Sequence, residues 1–181
     1  TMYTAMTINN DIEKGVFDRI RSLPVWRPSL LVGSLLGDTL RYTMASTIII
    51  AVTLLLGYRP AGGVTGVVAA VVLLLVFCFS LSWIWTLLGF KLRTPNAVMG
   101  VSMMVLFPLT FLSNVFVSPA TMPDVLERVV KVNPISILVD AARSLMDGRA
   151  DGGAITTVLV MSAVLVAVFG PLTMRVFANK T

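Results

Sequence analysis

Asp38 and Arg41 stand three residues apart in an otherwise apolar stretch, and in another Pro108 is followed by Thr110, Ser113 and Asn114. These are the residues whose types and spacing could do chemistry. Positions three apart share a helical face, so Asp38 and Arg41 are set to pair. Each would cost about 2.5–3.5 kcal/mol alone at a bilayer centre. Two readings stay open for them: a pair at headgroup depth with Arg41 snorkelling to water, or a polar site along a transport path. Pro108 removes a backbone hydrogen bond and kinks its helix. The polar residues behind it either line a substrate path or satisfy the carbonyls that the kink frees.

Other chemistries are excluded by inventory. The chain has no histidine, and its one cysteine, Cys78, lies in the run VVLLLVFCFSLSW. Triads built on histidine, zinc cages of His and Cys, a haem histidine and an intrachain disulfide are all ruled out. The string GxxxxGK[ST] is absent too, so the chain has no Walker A loop. It reads as no enzyme, and any ATP it uses must be bound by another chain. The net charge of +5, from 14 Lys and Arg against 9 Asp and Glu, is scattered between apolar segments. That scatter argues against a nucleic-acid surface.

What must position these residues is a membrane fold. Of 181 residues, 56% are hydrophobic and 13% charged, against about 25% charged in soluble domains. Windows long enough to cross the bilayer, which takes about 20 residues, lie at about 33–57, 64–89, 97–117 and 154–177. The expected fold is all-α and integral to the membrane, with four transmembrane helices in one membrane domain.

Two further helices lie beside the spans. Over residues 10–24, Ile12, Val16, Ile20 and Leu23 form one stripe while Asp11, Lys14, Asp18 and Arg21 turn mostly away. This is an interfacial amphipathic helix, with Asn10 and Glu13 as a capping box and Pro24 as its stop. Within 122–148, Met122, Val125, Leu126, Val129 and Val130 form one stripe, and Ile135, Leu138, Val139, Ala142 and Leu145 another. These predict an external amphipathic or re-entrant helix pair, with Pro134 at a first helical position and Gly148 at a C-terminal cap. Lys and Arg favour the side of the two termini, which places both in the cytoplasm.

Smaller signals fill in the spans. Gly33 and Gly37 have the GxxxG spacing that permits close helix packing. Met99, Met103 and Met104 offer either packing filler or a deformable surface for apolar ligands. Trp83 and Trp85, near a span end, read as interfacial anchors.

Two stretches resemble a known family. EKGVFDRIRSLPVWRPSLLVGSLLGD is similar to the pre-span signature of the permease subunit of type-2 ABC exporters, particularly the daunorubicin/doxorubicin-resistance type. FLSNVFVSPATMPDVLERVVKVNPISILVDAARSLMDG is similar to that family's late external region, and order and spacing agree. The resemblance implies six spans in a complete permease, so this chain, opening on Thr1, is expected to be its last four. It also implies a cytoplasmic ABC ATPase subunit as partner, carrying ATP and Mg, with no cofactor held by the permease itself. By resemblance, Glu13, Lys14, Gly15, Asp18, Arg19 and Arg21 form the coupling helix that meets that subunit.

The resemblance further implies a second permease copy, or a related permease, completing a path through the cytoplasmic membrane for amphipathic, lipid-like or drug-like molecules. Export of a polysaccharide or glycolipid, or a non-transporting scaffold role, are the alternative functions.

Overall fold

The uncharged apolar runs fold as helices because a helix satisfies its own backbone polar groups, which hydrocarbon cannot do. The computed structural model describes residues 5, 6, 9, 10, 29–92, 94–115 and 124–180. Six helices follow in order: α1 (Ser29–Leu55), α2 (Gly63–Lys91), α3 (Pro95–Phe111), α4 (Asp124–Val132), α5 (Pro134–Met146) and α6 (Gly152–Lys180). The described residues contain no strand. Residues 11–24 of the expected interfacial helix, with Glu13, Lys14, Gly15, Asp18, Arg19 and Arg21, lie outside the described residues.

Three helices carry stretches long and apolar enough to cross a membrane: Gly33–Leu55, Gly63–Lys91 and Gly152–Phe177. Much of their exposed surface is apolar, as at Leu40, Ile49, Val64 and Val160. Lipid, not water, is the solvent that suits such faces. The chain is a multi-pass membrane protein. The remaining expected span is shorter than its composition suggests: α3 has 17 residues, about 25 Å at 1.5 Å per residue. It closes into a turn at residues 112–115 although the sequence stays largely apolar through Val117.

By its contacts the chain falls into two units. The first comprises Thr1–Tyr42, Cys78–Met103 and Ser162–Thr181. Within it α2 and α6 meet through Phe90 and Phe177, whose rings stand edge to face at 5.8 Å. The Thr173 hydroxyl donates to the Trp83 carbonyl at 3.3 Å. Trp85 is only 2% exposed. It therefore packs inside this unit, where the sequence suggested an interfacial anchor. Near the lower end of α2, the Asn9 side chain donates to the carbonyls of Gly89 (3.0 Å) and Leu92 (2.7 Å). These are carbonyls at a helix C-terminus, which need outside donors. Asp38 and Arg41 pair as expected at 3.8 Å, Asp38 buried and Arg41 exposed. Gly33 and Gly37 are exposed, and a Cβ added to either meets no described atom within 4 Å.

The second unit comprises Thr43–Phe77 and Met104–Met161. Here the end of α5 lies on the start of α2. The Gly62 amide donates to the Met146 carbonyl at 2.8 Å, and a Cβ on Gly66 would come within 2.3 Å of the Leu145 carbonyl oxygen. Only glycine admits a backbone so close. Gly148 ends α5 with φ +71°, the left-handed cap that its position in the sequence suggests.

Candidate functional site

The site is built where α3 ends. Pro108 has no N–H, so one carbonyl of the preceding turn loses its helical partner, and the last carbonyls of any helix lack partners as well. α5 supplies what the end of α3 needs. Asn133, Ser136, Asp140 and Arg143 are spaced three, four and three residues apart, which aligns them on one face.

Each makes a contact across to the α3 end. The Asn133 amide donates to the carbonyls of Leu109 (2.7 Å) and Leu112 (2.8 Å), while its oxygen accepts from the Ile135 amide at 2.9 Å and caps α5. Ser136 Oγ accepts the Asn114 amide at 3.1 Å. Asp140 Oδ1 accepts from the Asn114 side chain. Arg143 donates to the Asn114 carbonyl at 3.3 Å.

Asn133 and Ser136 are buried, Asp140 and Arg143 exposed, so the stripe grades from dry to wet along the helix. Ser113, fully buried, donates back to the Thr110 carbonyl. Ser113 and Asn114 thus hold the turn to itself and to α5, while Pro108 lines an open space beside it.

That space is an open depression of about 610 Å³ between α3 and α4. Its walls are Met104, Val105, Pro108, Leu109 and Leu112 on one side and Val129 and Val132 on the other, with Arg128 and Asn133 as its polar members. The volume lies within the range of about 300–1,000 Å³ that drug-sized ligands occupy. The lining offers apolar contact, one cation and no carboxylate. The residues that line it include no nucleophile or base for covalent chemistry. The sequence carried a signal for the α5 stripe in its three–four–three polar spacing opposite the apolar one. Arg128 and Val132 had no such signal, because their role depends on α3 lying beside them.

The residues that build this site fall within residues 1–146, which match the ABC-2 type transporter family. The chain belongs to the ABC-2 type transporter family. Both stretches that carried the resemblance lie within or largely within that match. This family member is similar to the daunorubicin resistance ABC transporter permease protein of Streptomyces coeruleorubidus, with 52% identity over 180 residues. The match covers 99% of this chain and 64% of that relative's length. No solved structure gives a significant match. The α3–α5 cluster fixes the end of a short membrane helix and leaves an apolar depression beside it.

Proposed function

We propose that this chain is the membrane-spanning subunit of an ATP-driven exporter that moves amphipathic, drug-like molecules out across the cytoplasmic membrane. The observation that carries the reading is its 52% identity, over 99% of its length, to a daunorubicin resistance permease. The apolar depression at Pro108 supports it, since a planar amphipath needs apolar walls and few fixed polar partners. ATP and Mg belong to a separate ABC ATPase subunit, and a second permease copy or a related permease completes the path. Lys14, Arg19 and Arg21, with Glu13, Gly15 and Asp18, form the contact with that subunit, and both termini face the cytoplasm.

The mechanism asked of such a subunit is a shift between two arrangements. The ATPase can drive it only by binding one arrangement more tightly than the other. Full-length permease and its cognate ATPase, reconstituted together in vesicles, should hydrolyse ATP faster in the presence of daunorubicin and move the drug across the bilayer. Reversing the charges of Lys14, Arg19 and Arg21 should abolish both and release the ATPase. Assembly with neither transport nor stimulated hydrolysis would favour a scaffold role instead.

A further inference from the structure

A second groove, in the same unit but on other elements, runs between α1 and α2 with a volume of about 760 Å³. On α1 its wall is the face of Thr43, Thr47 and Ala51; on α2 it is that of Val64, Val68 and Val72. The α2 valines are 80%, 55% and 53% exposed, so the described chain leaves this wall uncovered. The Thr47 hydroxyl is turned back onto the Thr43 carbonyl at 2.8 Å and is no donor to a ligand. The groove ends at Arg59, in the tight connection between the two helices. Arg59 is the only charged residue between Arg41 and Lys91, and among the described residues no carboxylate pairs with it.

Length and charge together define the occupant. From Gly63 to Leu75 the α2 wall is about 18 Å long at 1.5 Å per residue, close to the depth of one leaflet, half of about 30 Å of hydrocarbon. Arg59 stands where α1 has ended and α2 has yet to begin, which is headgroup depth for two spans of this length. Its guanidinium matches phosphate oxygens in geometry and charge. We infer that the α1–α2 groove is a binding site for a single anionic phospholipid, an acyl chain lying along the Thr47 and Val68 faces and the phosphate held by Arg59. This site does not depend on the export reading.

The test uses the full chain in vesicles of phosphatidylcholine and phosphatidylglycerol in equal parts, with tightly retained lipid identified by native mass spectrometry. Retained phosphatidylglycerol should exceed phosphatidylcholine about fivefold, the ratio equivalent to about 1 kcal/mol per basic side chain at an anionic surface. Arg59→Lys should keep most of that preference and Arg59→Gln should bring it to unity. Arg149→Gln, at an exposed arginine outside the groove, should leave it unchanged. Ala51→Phe narrows the groove at its wall and should diminish the retained lipid, while a helical circular dichroism melt matching the parent shows that the fold survives. Equal retention of the two lipids by the parent chain, an unchanged ratio in Arg59→Gln, or undiminished lipid in Ala51→Phe would each overturn the assignment. The last result would mean that protein, not lipid, covers the groove.

Discussion

Asn114 donates its side-chain amide to Asp140 across 26 residues of sequence. The contact joins the turn that ends α3 to the middle of α5. Arg143 takes the Asn114 carbonyl and Ser136 its amide, so one asparagine is gripped at three points by one helix face. Asn114 and Ser136 are both buried, so water is not there to replace the contact between them.

Asn133 is the residue whose loss should be felt most in this cluster. Asn133→Ala leaves the Leu109 and Leu112 carbonyls without their donor, at a cost of about 1–3 kcal/mol. Asn133→Asp keeps the cap on Ile135 but supplies no N–H, so it should destabilise nearly as much. Chemical unfolding in detergent micelles, followed by circular dichroism, measures both. A neutral Asn133→Asp would show that the two carbonyls have other donors.

The glycines separate into two kinds that a stability measurement can tell apart. Gly66→Ala drives a Cβ against the Leu145 backbone and should cost about 1–3 kcal/mol, as overpacking does. Gly37→Ala meets open space and should stay within about 0.5 kcal/mol of the parent. Equal melting temperatures for the two variants would refute the close approach of α5 to α2.

At the other end of α2, Asn9→Ala removes both donors to Gly89 and Leu92. The amides of Ala5, Met6, Asn9 and Asn10 should then exchange faster, while the centre of α2 should not change. Hydrogen exchange by mass spectrometry reads this directly. Protection unchanged at those residues would show that the Asn9 contacts do not hold this segment.

Filling the Pro108 depression tests its use. Val105→Trp should lower export of bulky amphipaths several-fold in the reconstituted transporter with little effect on melting, because Val105 is an exposed wall with room beside it. Export at the parent rate would mean that the depression lies off the path.

Much of this was legible before any coordinates. The uncharged runs of α2 and α6, the Asp38–Arg41 pair, Pro134 at a helix start and Gly148 at a helix end all follow from local rules of period, spacing and capping. The end of α3 does not. The residues after Phe111 remain mostly apolar, and what stops the helix is a set of donors and acceptors 21 to 29 residues away in sequence. Trp85 was misread for a related reason: composition places it near a span end, but only packing reveals that it is buried. Of the site residues, Pro108 and Asn114 stood out by type, whereas Arg128 and Val132 matter only through their neighbours in space.

Asn133 borders the Pro108 depression, yet both of its amide protons are committed to the backbone of α3. Its polarity is therefore unavailable to a guest, and Arg128 is the only charge left in the lining. Such a lining offers a guest apolar contact and one positive charge. On the exporter reading, affinity across a set of guests should follow their partition into hydrocarbon, because the one asparagine at the wall is already occupied.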